Sequence, residues 1–187
     1  MEFDALVLAG GRSSRLGGTD KALLEIDGRS LLDITLAAVT DARLTVVVGE
    51  VTATPGILLT REFPAFGGPA AGIAAGLAAL SSAPIPGPSP HTLVLACDMP
   101  RVTEVVAALL SAGGGIAVDE GRDQYLAGLY PSVALLRSVS GRVDGLAVRS
   151  LLAAIEETHA LPRVAVPAGS THDIDTWTDA ELFGAHA

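Results

Sequence analysis

A glycine-rich segment near the N-terminus contains residue types that bind phosphate. It runs from Leu8 to Lys21 and reads Leu-Ala-Gly-Gly-Arg-Ser-Ser-Arg-Leu-Gly-Gly-Thr-Asp-Lys. Its glycines let backbone amides approach an anionic ligand without obstruction by a Cβ atom. Arg15 and Lys21 can neutralise a triphosphate, and Lys21, the only lysine of the chain, offers a compact ammonium that fits between phosphate oxygens. The segment therefore predicts a phosphate-binding loop, with a plain flexible turn as the alternative.

The segment differs from two common phosphate-binding motifs. A Walker A loop has glycine before its lysine and serine or threonine after it, whereas Lys21 lies between Asp20 and Ala22. The G-x-G-x-x-G fingerprint of dinucleotide-binding domains is also absent. Neither a P-loop NTPase nor a dinucleotide-dependent enzyme is therefore indicated.

An acid directly follows an apolar run that is expected to form a buried strand. Asp98 comes directly after the run 92–97 and precedes Met99 and Pro100, so a stiff turn would hold it at the end of a strand. Mg²⁺ prefers one or two carboxylates together with phosphate oxygens of the substrate, which makes Asp98 the candidate metal ligand. Capping of the helix that follows is the alternative role.

Apolar runs alternate with helical patterns, which predicts an α/β fold in three layers around a mostly parallel sheet. We expect strands at 3–9, 44–48, 57–60, 92–96, 116–118, 125–130 and 164–166, a short extended piece at 22–26, and helices at 31–42, 70–80, 102–112, 133–139, 146–157 and 178–183. In such sheets ligands bind at the carboxyl ends of the strands. The glycine-rich segment and Asp98 both follow strands, so they are expected at the same edge.

Composition restricts the classes of function. A chain of 187 residues is expected to form a single domain over 1–187. Its net charge of −9 disfavours a nucleic-acid partner, and it lacks the roughly 18 consecutive apolar residues of a membrane span. The acidic N-terminus is no signal peptide, so a cytoplasmic protein without a membrane partner is expected. Cys97 is the only cysteine, which excludes an internal disulfide and a cysteine-based zinc site.

Four motifs, in their order along the chain, resemble those of a known enzyme family. They are Leu8-Ala9-Gly10-Gly11 continuing to Lys21, Gly68-Pro69-Ala70-Ala71-Gly72, Cys97-Asp98-Met99-Pro100 and Asp173-Ile174-Asp175-Thr176. They resemble the nucleotidyltransferases of the molybdenum cofactor pathway, and most closely the molybdenum cofactor guanylyltransferase (MobA) family. This resemblance implies a three-layer Rossmann-like nucleotidyltransferase fold and a Mg²⁺-dependent transfer of GMP from GTP to molybdopterin, with release of pyrophosphate.

The resemblance also implies roles for individual residues. Those implicated in binding or catalysis are Leu8, Ala9, Gly10, Gly11, Arg15, Lys21 and Asp98. Backbone groups of the first four would contact the nucleotide, the two cations would hold its phosphates during catalysis, and the carboxylate would carry Mg²⁺. Asp175 is open between a second metal or substrate contact and capping of the last helix.

Two departures from the family pattern leave the base open between GTP and CTP. Gly49 lies where the family often has a polar side chain that contacts the nucleotide, and Ala65 replaces an acid common before the Gly-Pro turn, with Glu62 nearby. The alternatives to a guanylyltransferase are a cytidylyltransferase for molybdopterin, another small nucleotidyltransferase, and a non-catalytic nucleotide-binding regulator. The sequence leaves the residues that bind the acceptor and the oligomeric state undetermined.

Overall fold

A seven-stranded sheet lies at the centre of the computed structural model, which describes residues 1–10, 16–52, 54–63, 65–85, 87–141, 143–156 and 159–187. Its strands are β1 (Phe3–Leu8), β4 (Thr45–Val48), β5 (Leu58–Thr60), β6 (His91–Ala96), β7 (Gly115–Asp119), β8 (Arg122–Pro131) and β9 (Arg163–Ala165). Two short strands, β2 (Glu25–Ile26) and β3 (Arg29–Ser30), form a separate antiparallel hairpin.

The sheet is mostly parallel, as the alternation of strands and helices predicts. Its strand order is β5-β4-β1-β6-β8-β7-β9, with β6 in the middle. Among the described strands of this sheet, β8 runs antiparallel to both of its neighbours, and the other pairings are parallel. The carboxyl ends of β4, β1, β6 and β7 therefore meet at one edge, where ligands of such folds bind.

Helices cover both faces of the sheet and complete three layers. They are α1 (Leu31–Ala38), α2 (Pro69–Ser81), α3 (Val102–Ala112), α4 (Ser132–Ser138), α5 (Val148–Glu156) and α6 (Trp177–Leu182). Buried side chains of α2, α4 and α5 pack against one face, and those of α1 and α3 pack against the other. In the described part of the chain, no helix combines the length and apolarity needed to cross a bilayer.

Glycines let α2 approach the sheet closely. A Cβ atom at Gly76 would lie 2.6 Å from Cδ1 of Leu6, and one at Gly72 would lie 3.0 Å from Cδ2 of Leu8. Each glycine costs the helix roughly 1 kcal/mol relative to alanine, so contacts with β1 and β4 must compensate. This close packing fixes the start of α2 beside the carboxyl end of β1.

Two local expectations were wrong. The first helix ends at Ala38 instead of residue 42, because Thr40 and Asp41 favour a turn over a helix interior. The segment 22–26, expected to be extended, begins as a 3₁₀ turn at Lys21–Leu23. The carboxylate of Asp20 accepts a hydrogen bond from the backbone N–H of Ala22 at 3.0 Å and so caps this turn.

Candidate active site

A cavity of about 530 Å³ opens at the carboxyl edge of the sheet. Its walls come from the ends of β1 and β6, the 3₁₀ turn, the start of α2 and the loop before α6. The lining residues are Leu8, Ala9, Gly10, Asp20, Lys21, Ala22, Val48, Glu62, Phe66, Gly68, Pro69, Gly72, Ala96, Cys97, Asp98, Leu126 and Asp175. The strand ends that the sequence associates with phosphate and metal therefore share one cavity.

Lys21 and Asp98 are in direct contact within this cavity. The ammonium Nζ of Lys21 lies 3.4 Å from Oδ2 of Asp98 and donates a hydrogen bond to Oδ1 of Asp175. The 3₁₀ turn that Asp20 caps holds Lys21 at the end of the glycine-rich segment. Lys21, which lies between β1 and α1, thus contacts carboxylates from the middle and from the end of the chain.

A backbone hydrogen bond brings the loop before α6 to the end of β6. The N–H of Ile174, whose side chain is fully buried, donates to the carbonyl oxygen of Asp98 at 3.0 Å. Asp173 and Asp175 flank this anchor, and one carboxylate oxygen of each lies within 4.8 Å of one from Asp98. Three carboxylates that can offer oxygen ligands to a hard cation therefore lie close together, and two of them, Asp98 and Asp175, line the cavity.

The capping roles left open for two aspartates do not hold. The N-cap of α3 is Arg101, without a side-chain hydrogen bond, so Asp98 does not cap that helix. The N-cap of α6 is Thr176, which forms a capping box with Asp179. Asp175, one residue earlier, instead directs its carboxylate to Lys21. Neither carboxylate is therefore used as a helix cap.

The electrostatics of the site depend on burial and on the three acids. Burial raises the pKa of Asp98, and the negative charge of Asp173 adds to this effect, while Lys21 opposes it. Burial would lower the pKa of Lys21, but the hydrogen bond to Asp175 and the charge of Asp98 outweigh it, so this pKa is raised. Lys21 is therefore a charged ammonium that partly compensates the excess negative charge of the cluster.

Cys97 lines the same cavity without a reactive thiolate. Its side chain is buried, and that burial raises the pKa of its thiol further above its ordinary value. A neutral thiol is a poor nucleophile. Cys97 therefore acts as a small packing residue at the end of β6.

The backbones at the ends of β1 and β4 approach each other closely where they form the floor of the cavity. The N–H of Ala9 donates to the carbonyl oxygen of Val48 at 2.9 Å, which continues the parallel pairing past the end of β1. A Cβ atom at Gly49 would lie 2.6 Å from the carbonyl oxygen of Ala9. No side chain fits at position 49, so the polar contact that the family often makes there is absent. Gly10 also lines this floor.

The sequence motifs do not identify every residue of the site, and two of the residues that they do identify lie outside the described part of the chain. Gly11 and Arg15, both expected at the nucleotide, are outside the described residues. Asp173 received no role from the sequence, although acids two residues apart in an extended loop point to the same side. Phe66 was likewise missed, because its place on the cavity wall depends on the path of the loop after β5.

Comparisons with known proteins agree on one family. The family model described as a MobA-like NTP transferase domain matches residues 5–161. A protein of Acidiphilium cryptum named molybdenum cofactor guanylyltransferase is 33% identical over 150 residues, which span 75% of this chain and 72% of that protein. A protein of the same name from Pseudomonas paraeruginosa is 35% identical over 116 residues, or 58% of this chain and 55% of that protein.

Solved structures share the fold at lower identity. Molybdopterin-guanine dinucleotide biosynthesis protein A from Archaeoglobus fulgidus has a TM-score of 0.66 and 22% identity, and the match covers 96% of each chain. The 2-C-methyl-D-erythritol 4-phosphate cytidylyltransferase from Thermus thermophilus has a TM-score of 0.63 at 22% identity, over 98% of this chain and 97% of that one. The three-layer nucleotidyltransferase fold expected from the motifs is thereby confirmed.

Proposed function

The chain belongs to the MobA-like NTP transferase domain family, and on that basis we propose that it transfers GMP from GTP to molybdopterin with release of pyrophosphate. The enzyme class, a nucleotidyltransferase, follows from the family. The observation that carries the proposal is the junction of Lys21 with Asp98 and Asp175 in a cavity at the strand ends. This junction offers both a cation for phosphates and carboxylates for a metal ion.

The nucleotide would lie across the ends of β1 and β4. Leu8, Ala9 and Gly10 line the cavity there, and the small Ala9 and Gly10 suit a ligand that approaches the backbone closely. Lys21 would contact the phosphates, together with the expected Gly11 and Arg15 of the glycine-rich segment. The acidic net charge does not oppose this, because local cations determine the field inside a cavity.

The residues present fit a divalent metal ion, which we take to be Mg²⁺. Asp98 and Asp175 would hold it, with Asp173 close enough to contribute directly or through water. The observation that supports the fit is the ammonium of Lys21, which already occupies a cation position between two of these carboxylates. When bound, such an ion neutralises negative charge on the phosphates.

The reaction requires alignment more than acid–base chemistry. A phosphate monoester oxygen of the acceptor is already anionic near neutral pH, so its attack on the α-phosphorus needs no strong general base. In agreement, the described lining residues include no histidine, and their one cysteine, Cys97, is neutral. Lys21 would leave the carboxylates and neutralise the phosphates of the transferring and departing groups, which lowers the barrier electrostatically.

Pyrophosphate release with molybdopterin and each of GTP, CTP, UTP and ATP in the presence of Mg²⁺ tests the proposal. Release with GTP supports a guanylyltransferase, and release with CTP alone would replace it by a cytidylyltransferase. Nucleotide binding without any release would indicate a regulator instead of an enzyme. The cytoplasmic location and the absence of a nucleic-acid partner stay predictions from the sequence.

A further inference from the structure

The geometry points to Glu62 as the residue that selects guanine, an inference that rests on the proposed nucleotidyltransferase function. Glu62 lies two residues after β5 and lines the cavity, whereas Asp98 lies two residues after β6. Three strand spacings separate β5 from β6 in the sheet, which amounts to roughly 14 Å. A nucleotide with its phosphates at Asp98 and Lys21 would thus direct its base towards Glu62.

The loop that carries Glu62 is held in a specific conformation. The N–H of Phe66 donates to Oε1 of Glu62 at 3.3 Å, and the backbone of Phe66 is left-handed with φ of 62°. That conformation is uncommon for a bulky residue and persists where surrounding contacts hold it. Phe66 lines the same end of the cavity and is 62% exposed, so its ring offers an apolar face against which a base can stack.

The carboxylate of Glu62 has unused acceptor capacity. Within the described part of the chain, its hydrogen bond from Phe66 occupies one lone pair of Oε1, and a carboxylate offers about four acceptor sites in all. The neighbouring cation, Arg61, is paired with Glu50 instead. Glu62 is therefore a half-buried acceptor on the cavity wall that can receive hydrogen bonds from a ligand.

Only guanine presents donors that match this group along its Watson–Crick edge. Its N1–H and N2–H₂ are adjacent donors, and a carboxylate accepts from both at once, as it does from the paired donors of arginine. Adenine, cytosine and uracil each place an acceptor beside their donor, and that acceptor would face the second carboxylate oxygen. Glu62 thereby favours GTP over the other nucleoside triphosphates, although position 65 holds an alanine.

Inosine triphosphate provides the test, because it differs from GTP only by the missing N2 amino group. We expect the wild-type protein to bind GTP about 10-fold more tightly than inosine triphosphate in calorimetric titrations with Mg²⁺, on the scale of one hydrogen bond to a charged group. In Glu62→Gln the side-chain oxygen can still accept from Phe66, but the amide NH₂ opposes the guanine donors. The ratio of the two affinities should therefore fall to about 1, with affinity for CTP and ATP unchanged.

Glu181→Gln is the matched control, since it removes the same charge from an exposed side chain that does not line the cavity and has no part in the Arg61–Glu50 pair next to Glu62. Its ratio of GTP to inosine triphosphate affinity should equal that of the wild type. Equal affinities in the wild type, or an unchanged ratio in Glu62→Gln, would overturn the role of Glu62 even where nucleotide transfer is observed. A wild-type protein that binds none of these nucleotides would overturn the proposed function as well.

Discussion

Replacement of Lys21 by methionine should strengthen the binding of a divalent metal ion in the absence of nucleotide. In the structure Lys21 contacts two of the three clustered carboxylates, Asp98 and Asp175. Its ammonium therefore competes with a metal ion for the same oxygen atoms. Methionine keeps the length and the apolar stem of lysine but removes the charge, so the carboxylates would lose this cation.

The size of the effect follows from the contact between Lys21 and Asp98. At a separation of 3.4 Å, opposite unit charges attract by about 5 kcal/mol at an effective dielectric constant of about 20. The two side chains are 19% and 21% exposed, and each loses hydration on pairing, so we reduce the net value to about 1–2 kcal/mol. Relief of this competition corresponds to roughly 10-fold tighter metal binding.

Titration with Mn²⁺, followed by electron paramagnetic resonance without nucleotide, measures the affinity directly and does not depend on turnover. The control is Arg101→Met, which removes a cation paired with Glu104 outside the cavity and should leave Mn²⁺ binding unchanged. The same Lys21→Met protein should bind GTP more weakly by about 1.5–3 kcal/mol, since a charge-assisted phosphate contact is lost.

Tighter Mn²⁺ binding together with weaker GTP binding would identify Lys21 as a residue that contacts the carboxylates in the free protein and the phosphates when nucleotide is bound. Mn²⁺ binding that is unchanged or weaker in Lys21→Met would show that the ammonium does not occupy the position of the metal ion. Unchanged affinity for GTP would remove Lys21 from the phosphate site.

Three further substitutions test other parts of the structure. Asp98→Asn should abolish metal-dependent pyrophosphate release without a change in the circular dichroism spectrum, because it removes a charged ligand; retained release would contradict the metal role. Gly49→Ala should destabilise the protein in urea melts by about 1–3 kcal/mol, because its Cβ would lie 2.6 Å from the backbone oxygen of Ala9; equal midpoints would refute this close approach. Burial opposes ionisation of Asp119, but hydrogen bonds from the loop after β9 outweigh it and lower its pKa. Asp119→Asn should therefore cost about 1–3 kcal/mol at pH 7, and urea melts should show this difference vanish as the pH falls through the lowered pKa of Asp119.

The sequence was sufficient to predict the α/β architecture and two residues of the site, Lys21 and Asp98. Buried strands such as 92–96 show as uninterrupted apolar runs, and their alternation with helical patterns restricts the chain to a mostly parallel sheet. In such a sheet, residues that directly follow strands meet at one edge. Lys21 and Asp98 could be brought together on that argument, and the motifs that resemble the MobA family are confirmed by the family match.

Contacts that depend on the path of a loop could be established only from the tertiary structure. Lys21 and Asp175 are 154 residues apart in the chain, and they meet because the N–H of Ile174 bonds to the carbonyl oxygen of Asp98. No local pattern specifies such a bond. The position of Glu62 on the cavity wall likewise follows from the left-handed turn at Phe66. Periodicity records which side chains are buried, and it therefore determines strands and helices, whereas the course of a loop is set by distant partners that the periodicity does not contain.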